Sequence, residues 1–483
     1  MTRPAPAGSG RTRVGVVGGG LAGITAALDL AAAGREVVLL ESRPWLGGLA
    51  SSFRRGGLTV DTGQHVFLRC CTAYRGFLDR LGVTGLTTLQ PRLDIPVLTP
   101  GGRPARLRRD RLPAPLHLAR ALLGYGPLTR PERLSAARAV RALGRVDPAD
   151  PAADTITFGA WLTAHGQGPR AVAALFDLIG VATLNLPAEE ATLSLAAKVF
   201  RTGLLEDAAG ADLGWSLVPL GRLHSEATAA ALAAAGVTVR TSARVRGVER
   251  GREHGPERSG EEWRLVLDTE SIPVDEVVLA VPPPAAEAFL PGGGSHAPAG
   301  WSQRLGASPI VNVHVRYDRQ VTEHAFFATV GSPVQWAFDR TAGSGAQTGQ
   351  YLAVSLSAAG RQVDERAADV QAEVLPALAA VLPAARAATV LDSWVTRERT
   401  ATFRAVPGTA ALRPPARTGM PGVVLAGAWT ATGWPATMEG AVRSGHAAAQ
   451  ALLRARTPAG SGAGSGPAES SAPAGVPVER GIA

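Results

Sequence analysis

The stretch that decides the fold is RVGVVGGGLAGITAALDLAAAGREVVLLE, residues 13–41. A short β-branched run leads into glycines, an alanine-rich apolar run follows and stops at Gly34, and a second β-branched run ends at Glu41. This order predicts a strand, a helix and a second strand. The chain is therefore predicted to begin with one βαβ unit of an α/β domain.

The turn of this unit carries three glycines, Gly18, Gly20 and Gly23, in the spacing G-x-G-x-x-G. The first glycine permits a tight turn, the second lets the backbone approach a pyrophosphate, and the third allows the helix to pack on the strand. The N-terminus of the helix offers N–H groups and a positive dipole end to phosphates. Glu41 ends the second strand, where its carboxylate can bind an adenosine ribose. The motif predicts a dinucleotide site.

The residues after Glu41 distinguish between dinucleotides. Arg43, Gly47 and Gly48, in RPWLGGLASSF (43–53), extend the phosphate-facing surface and give the arrangement E-x-R-x-x-x-G-G. This arrangement resembles the long fingerprint of FAD-binding amine oxidases and carotenoid desaturases. The resemblance implies that the cofactor is FAD.

Composition excludes several other classes of protein. The net charge of +9 over 483 residues comes from arginine, because Lys198 is the only lysine. The basic residues are mostly scattered and show no zinc-finger spacing or aromatic–basic motif, so neither a metal site nor nucleic-acid binding is expected. Cys70 and Cys71 are adjacent and cannot join distant segments, which gives no sign of an oxidising compartment.

No stretch of the chain is typical of a signal peptide or of a membrane span. We therefore expect a cytoplasmic protein that is at most peripheral on the inner face of the membrane. The segment 105–128 combines an apolar run with Arg106, Arg108, Arg109 and Arg111. This composition suits docking on an anionic bilayer, and a charged loop before a core helix is the alternative.

Two later stretches repeat the strand-then-turn pattern, DEVVLAVPPP (275–284) and GVVLAGAW (422–429). They can join the first sheet only if the intervening segments form a second domain. We predict an α/β fold in which a Rossmann-like FAD-binding domain is interleaved with a mixed α+β substrate domain. The predicted ranges are 13–89, 211–299 and 411–456 for the FAD-binding domain, a largely helical 90–210 and a strand-rich 300–410 for the substrate domain, and disordered tails at 1–12 and 457–483.

Three segments narrow the family: VDTGQHVFLRCCTAY (60–74), GVATLNLPAEEATLSLAAKVF (180–200) and AGAWTATGWPATMEGAVRSG (426–445). Together they resemble the squalene-associated FAD-dependent desaturases, the hydroxysqualene dehydroxylases of hopanoid biosynthesis, within the amine oxidase and carotenoid desaturase superfamily. The resemblance runs from about residue 13 to residue 455 and implies the amine-oxidase and phytoene-desaturase topology.

The resemblance also implies a reaction and its partners. Reduced flavin would supply the hydride that replaces the hydroxyl group of hydroxysqualene, an apolar C30 isoprenoid alcohol, and the product would be squalene. The partners would be the enzymes that make presqualene diphosphate and hydroxysqualene from farnesyl diphosphate. The sequence does not identify the electron donor that reduces the flavin.

In this family the last helix, expected from about residue 436 to 453, directs its N-terminus at the isoalloxazine ring. Pro435 suits its first turn, and the resemblance places Gly427 and the backbone N–H groups of Thr437 and Met438 beside the flavin. Trp429 and Trp434 would wall the ring or the substrate cavity, or belong to the core. Ala428 stands where related flavoproteins usually have an acid, which leaves that contact to the backbone or leaves the flavin less tightly held.

Breaking an allylic carbon–oxygen bond requires a general acid, because hydroxide is a poor leaving group. His65 is the first candidate, with Gln64 beside it in the substrate pocket, and Asp61 and Glu439 are the second. A structural histidine and a capped turn at Asp61 are the alternatives. Trp161, Phe176 and Trp215 are candidates for shielding a carbocation, with core packing as the alternative for each.

Three other functions remain open at this stage. A carotenoid desaturase or isomerase would share the fold and the apolar pocket. An amine oxidase would need an aromatic cage and often a lysine at the flavin, and Lys198 lies in an apolar helical pattern. A non-catalytic isoprenoid carrier would not need a reversibly reduced flavin.

Overall fold

The computed structural model describes residues 11–251, 263–290 and 294–455. The predicted tails lie outside these residues, apart from Arg11 and Thr12. Within the described ranges, strands and helices are interleaved along the whole chain.

The first sheet has five parallel strands, and it contains the predicted βαβ unit. In spatial order the strands are β10 (Thr238–Arg240), β2 (Glu36–Leu40), β1 (Arg13–Val17), β14 (Glu276–Leu279) and β20 (Val423–Leu425). Val16 lies opposite Leu39 on one side and Val278 on the other. The prediction that two distant strands join the first one is confirmed, since β14 and β20 extend the sheet beyond β1.

The second large sheet has seven strands. In spatial order they are β19 (Val390–Thr402), β15 (Ser308–Tyr317), β18 (Gln350–Leu356), β17 (Trp336–Asp339), β16 (Phe326–Thr329), β7 (Asp94–Leu98) and β8 (Ala105–Arg108). Adjacent strands are antiparallel except β16 and β7, which are parallel.

The two faces of the seven-stranded sheet have different neighbours, because side chains alternate along each strand. On one face Val313 and Val354 pack with Val374 of the helix at Ala367–Val381. On the other face Trp336 donates from Nε1 to the carbonyl of Leu178 at 3.3 Å. This second face therefore looks towards the helical part of the chain.

The remaining strands form three small sheets. They are the hairpin β3 (Ser52–Arg55) and β4 (Leu58–Asp61), the sheet β5 (Val66–Leu68), β9 (Leu213–Ser216) and β6 (Thr87–Leu89), and the sheet β11 (Gly247–Arg250), β12 (Trp263–Val266) and β13 (Ser271–Val274). In the second of them Val66 lies directly opposite Trp215.

The helices are α1 (Leu21–Ala32), α2 (Thr72–Arg80), α3 (Ala119–Leu123), α4 (Arg130–Leu143), α5 (Phe158–Ala164), α6 (Pro169–Ala171), α7 (Asp177–Leu184), α8 (Leu193–Phe200), α9 (Ala227–Ala234), α10 (Pro283–Ala288), α11 (Trp301–Leu305), α12 (Thr341–Ser344), α13 (Ala367–Val381) and α14 (Met438–Ala455). Wider helical turns of the π type occur at Val172–Phe176, Arg201–Leu205 and Arg222–Glu226. Short 3₁₀ turns occur at Thr84–Leu86, Leu116–Leu118, Pro151–Asp154, Pro383–Arg386 and Thr409–Leu412.

Two predicted boundaries differ from the structure. The block 90–210 is helical after about residue 116, but it begins with β7 and β8, whose short runs contain Pro96 and arginines and give a weak strand signal. The last helix begins at Met438 rather than at 436, because the Thr437 hydroxyl accepts a hydrogen bond from the Gly440 N–H at 3.1 Å and so caps the first turn. Among the described residues no helix is both long enough and apolar enough to span a membrane.

Candidate active site

The glycine turn at the N-terminus of α1 leaves room for a ligand at one position only. A Cβ atom at Gly18 would lie 2.3 Å from the carbonyl oxygen of Ala280, and one at Gly23 would lie 2.0 Å from that of Gly18. At Gly20 the nearest atom would be Cα of Gly48 at 4.0 Å. Gly18 and Gly23 are therefore required for packing, whereas Gly20 keeps open the surface at the helix N-terminus.

Glu41 and the residues after it complete this cradle. The Glu41 carboxylate accepts hydrogen bonds from the N–H groups of Gly19 and Arg43, both at 2.7 Å, and is 8% exposed. The Gly47 N–H donates to the carbonyl of Gly19 at 2.8 Å, so the second glycine pair lies on the first turn. The Arg43 guanidinium is exposed and lies 3.4 Å from the carbonyl of Gly48. The residue types of both motifs meet at one surface, and they fit a dinucleotide pyrophosphate with its ribose.

The final segment is held by an arginine that the sequence did not indicate. Arg413 is 7% exposed and donates to the carbonyls of Thr430 at 2.5 Å and Trp434 at 2.7 Å. It also donates to the carbonyl of Ala428 at 3.3 Å. Burial lowers the pKa of Arg413 to about 10, so the side chain remains charged at neutral pH. The guanidinium therefore fixes the loop between β20 and α14 through backbone oxygens.

The ends of this loop position the remaining predicted cofactor residues. Gly427 follows β20 with φ of 149°, and its N–H donates to the Ser444 hydroxyl of α14 at 2.8 Å. Thr437 caps α14, and Met438 is its first residue. The N-terminus of a second long helix thus follows directly from the β20 loop.

A small cavity lies where the hairpin β3–β4, the sheet of β9 and the seven-stranded sheet meet. Its lining includes four residues that the sequence indicated: the catalytic candidates Asp61 and His65, the pocket residue Gln64, and Trp215. The remaining lining residues are Ser216, Leu220, Ala325, Phe338, Asp339 and Arg340. The structure therefore brings Gln64 and His65 together with Trp215. Phe338 and Arg340 also line the cavity, and the sequence did not indicate them.

Asp61 is the acceptor of a buried ion pair in this wall. It accepts from Arg340 Nη2 at 2.7 Å, from the Ser52 hydroxyl at 2.7 Å and from the Leu220 N–H at 2.9 Å. The side chain of Asp61 is 5% exposed and that of Arg340 is 12% exposed. Since all three groups donate hydrogen bonds to the carboxylate of Asp61, the arrangement favours its ionised form and a positioning role over proton donation.

His65 has one ring nitrogen engaged and the other available. Nδ1 lies 3.1 Å from the carbonyl of Gly63, and because a carbonyl only accepts, Nδ1 carries the proton. Burial is the largest influence on the pKa of His65 and lowers it below its ordinary value, against the opposing effects of the Gly63 carbonyl and Asp61. Nε2 is therefore the atom that gains and loses a proton. The neighbouring Gln64 Nε2 is buried without a hydrogen-bond partner among the described residues.

The other predicted site residues lie elsewhere. Glu439 is 1% exposed and accepts from the N–H groups of Ala73 at 3.2 Å and Tyr74 at 2.7 Å, so it caps the N-terminus of α2. Its third donor is Arg443 at 2.7 Å. These contacts favour a structural role, because no oxygen of Glu439 is directed at the cavity of His65.

Of the predicted aromatic residues, only Trp215 reaches this cavity. Trp161 and Phe176 pack around Phe158 in the helical part of the chain and are 9% and 0% exposed. Trp429 is 8% exposed and stacks on Trp301 with ring centroids 5.1 Å apart. These rings belong to the core.

Trp434 is half-buried next to the start of α14 and has two cations on its ring. Lys198 Nζ lies 5.0 Å and Arg443 Cζ lies 4.9 Å from its centroid. Lys198 thus contacts Trp434, and it does not line the cavity of His65.

Comparison with known proteins agrees with this arrangement. The model of the family described as flavin containing amine oxidoreductase matches residues 21–453. The hydroxysqualene dehydroxylase of Sinorhizobium fredii is 31% identical over 91% of this chain and 98% of its own length, and that of Rhodopseudomonas palustris is 31% identical over 92% and 98%. The chain belongs to the flavin-containing amine oxidoreductases and, among them, to the hydroxysqualene dehydroxylases.

More distant relatives share the fold. The zeta-carotene desaturase of a Synechocystis species is 25% identical over 91% of this chain and 97% of its own length. The structure of cyclohexylamine oxidase from Brevibacterium oxydans superimposes with a TM-score of 0.66 at 19% identity and covers 92% of this chain and 99% of that one. The predicted fold, an FAD-binding domain interleaved with a substrate domain in the amine-oxidase topology, is confirmed.

Family membership makes the chain an oxidoreductase whose cofactor is FAD. The local geometry fits this cofactor, since Gly20 leaves the N-terminus of α1 open and Glu41 lies in the same cradle. The residues that would hold FAD are Gly18, Gly20, Gly23, Glu41, Arg43, Gly47 and Gly48 at the dinucleotide end and Gly427, Thr437 and Met438 at the flavin end.

Proposed function

We propose that this protein catalyses the reductive dehydroxylation of hydroxysqualene to squalene. When bound and reduced, FAD supplies the hydride. The hydroxyl group takes one proton and leaves as water, and the hydride takes its place on carbon. The observation that carries the proposal is a cavity lined by His65 and Gln64 together with the aromatic residues Trp215 and Phe338.

His65 is the proton donor in this proposal. Its Nδ1–H is held by Gly63, so a proton carried on Nε2 is the one available to the substrate oxygen. The lowered pKa makes the imidazolium a stronger acid than an exposed histidine, although less of it is present at neutral pH. Gln64 Nε2 would donate a hydrogen bond to the same oxygen and orient it.

The polyene desaturase remains the alternative, because a zeta-carotene desaturase is similar over almost the whole chain. Such an enzyme removes hydride from a hydrocarbon and has no leaving oxygen to protonate. A buried amide without a partner beside a histidine is therefore better matched to an alcohol than to a polyene.

The test is an anaerobic single turnover. The flavin of the purified holoenzyme is reduced with dithionite, hydroxysqualene is added in detergent, and flavin absorbance is followed while products are extracted. We expect reoxidation of the flavin with formation of an equal amount of squalene. A reduced flavin that persists beside intact alcohol, in folded protein, would contradict the proposal and favour the oxidised enzyme with a polyene.

An apolar C30 alcohol dissolves in membranes, and we propose that the protein acts in the cytoplasm and docks on the inner face of the membrane. Leu112, Leu116 and Leu123 are 50%, 57% and 67% exposed within the segment 105–128. Enzymes that make presqualene diphosphate and hydroxysqualene would supply the substrate there, and a separate electron donor would reduce the flavin.

The arginines of this segment contribute less to docking than their number indicates. Arg109 binds Asp212 through Nε at 2.6 Å and Nη2 at 2.8 Å and is mostly buried. Arg106 and Arg108 both pair with Asp94. Of these four predicted arginines, Arg111 is the one with no ion pair among the described residues, so it and the exposed leucines are the groups that we expect to contact a bilayer.

A further inference from the structure

We propose that Trp215, Phe326, Trp336 and Phe338, here called the aromatic wall, bind the positively charged carbon that forms when the hydroxyl group leaves. The inference rests on the proposed function and names the chemistry that the wall would recognise, an allylic carbocation on an isoprenoid chain. Trp215 is a candidate from the sequence, whereas the other three residues are brought beside it by the fold.

The four rings form one continuous surface. Phe326 lies directly opposite Phe338 on the neighbouring strand. Trp336 precedes Phe338 by two residues on β17, so both side chains lie on the same face of the sheet. The ring centroids of Trp336 and Phe338 are 6.4 Å apart, and those of Phe326 and Phe338 are 6.3 Å apart. Trp215 comes from β9 and meets Phe326 edge to face at 5.2 Å. Two sheets therefore supply one wall.

This wall borders the cavity, unlike the aromatic rings around Phe158. Trp215, Trp336 and Phe338 are only partly buried, and Trp215 and Phe338 line the cavity. The rings around Phe158 in the helical part of the chain are at most 9% exposed and serve as core. The opposite face of the seven-stranded sheet packs mainly aliphatic side chains on α13, with Tyr317 and Phe327 as its aromatic residues. Aromatic residues are thus concentrated on the face of the sheet that meets the cavity.

The charges around the cavity also favour a cation. Its lining contains two carboxylates, Asp61 and Asp339, and one guanidinium, Arg340, which is paired with Asp61. Asp339 accepts from the Gln350 amide at 2.7 Å and from the Thr341 N–H at 2.9 Å. With His65 neutral, the lining carries one more negative than positive charge. Because Asp61 neutralises Arg340 and Asp339 adds a second negative charge, the net charge of the lining favours a cation beside the rings.

The chemistry balances with the groups named. The carbon–oxygen bond breaks with both electrons on oxygen, which takes a proton from His65 and leaves as water. The carbon is left with a positive charge until the hydride reaches it. The negative face of an aromatic ring attracts such a charge most strongly when water is excluded. The wall would thus stabilise the point of highest charge along the reaction.

The test measures binding of a cation mimic by the oxidised holoenzyme. The probe is an isoprenoid secondary amine in which a protonated nitrogen replaces the hydroxyl-bearing carbon of the C30 chain, and squalene is the neutral control of equal length. Calorimetric titration in detergent gives both affinities. In Phe338→Leu and Trp215→Leu we expect amine binding to weaken about tenfold, while squalene binding changes little. Trp215→Phe keeps a ring and should restore amine binding.

Equal losses of amine and squalene affinity in the leucine variants would overturn the inference, because they would show that the rings contribute apolar packing and no attraction to the charge. So would an amine that binds wild-type protein no better than squalene. Turnover of hydroxysqualene by the wild-type enzyme is measured separately. Normal turnover with no preference for the amine contradicts the aromatic wall alone, whereas absence of turnover contradicts the proposed function.

Discussion

Arg340 donates a hydrogen bond to Asp61 across 2.7 Å, although the two residues are 279 positions apart. Arg340 Nη1 also donates to the carbonyl of Ser216 at 3.0 Å. The pair joins the end of β4, the end of β17 and the end of β9 at the wall of the cavity. One guanidinium thus ties together three sheets that carry Gln64, His65 and the aromatic wall.

Arg340→Met leaves the buried carboxylate of Asp61 without its cation. Removing one partner of a buried ion pair costs about 3 kcal/mol or more, and we expect a loss of that order in the free energy of unfolding measured with urea. The double variant Asp61→Asn/Arg340→Met removes both charges and should be less destabilised than Arg340→Met alone. If the double variant lost as much as the two single variants combined, the pair would not be coupled in the way the structure indicates.

His65→Ala should slow dehydroxylation by about 10²- to 10⁴-fold, the range typical of a lost general acid. Binding of FAD, read from its absorbance, should be unchanged. His324→Ala, an exposed histidine, is the matched control and should keep wild-type turnover. Activity of His65→Ala within a few-fold of wild type would exclude His65 as the acid.

The pH dependence tests the same residue independently. The acid form of His65 is lost as pH rises through its pKa, which burial holds below its ordinary value. The rate of the chemical step should therefore increase as pH falls towards this lowered pKa and level off below it, and this rise should be missing in His65→Ala. A rate that increases towards alkaline pH in wild-type protein would contradict proton donation by His65.

The fold was predictable where local patterns carry the information. The βαβ unit, Gly18, Gly20, Gly23 and Glu41 all lie in one short stretch, and the later strands repeat the β-branched pattern of the first. The strands β7 and β8, at one end of the seven-stranded sheet, were missed because their runs are short and are interrupted by proline and arginine. A strand whose position is fixed by pairing with neighbouring strands need not show a clear β pattern in its own sequence.

The candidate site was predictable in part for the same reason. His65 and Gln64 lie in a short motif, whereas Arg340 and Phe338 reach the cavity only through the pairing of β16 with β17 and the ion pair to Asp61. Trp161, Phe176 and Trp429 had the right residue type, but burial of each ring in the core could not be foreseen without the tertiary packing. Nothing in the pattern around Arg413 indicated that five backbone or hydroxyl oxygens would surround it.

Gly20 and Gly23 should separate cofactor binding from folding. In Gly20→Ala the new methyl group contacts little of the protein, so we expect a stable fold with weakened FAD binding, because the methyl projects over the N-terminus of α1. In Gly23→Ala the methyl would lie 2.0 Å from the Gly18 carbonyl, and both stability and FAD content should fall. Thermal unfolding and flavin content of the purified variants measure the two effects. Full FAD content in Gly20→Ala would contradict the predicted position of the pyrophosphate.

The exposed leucines of segment 105–128 allow a direct test of membrane docking. Leu116→Ser and Leu123→Ser each remove an exposed apolar side chain, and each should weaken binding to vesicles of anionic phospholipid by about tenfold. Co-sedimentation at low and high salt measures the affinity and separates the apolar contribution from that of Arg111.

Leu391→Ser is the matched control, since Leu391 is 52% exposed on β19, and it should bind vesicles like wild type. Arg109→Glu is not a suitable probe, because it would place a second carboxylate beside the buried Asp212, leave Arg69 as the one remaining ion-pair partner of Asp212 among the described residues, and change folding and docking together. Equal co-sedimentation of all three leucine variants and wild type would show that the substrate reaches the cavity without this surface.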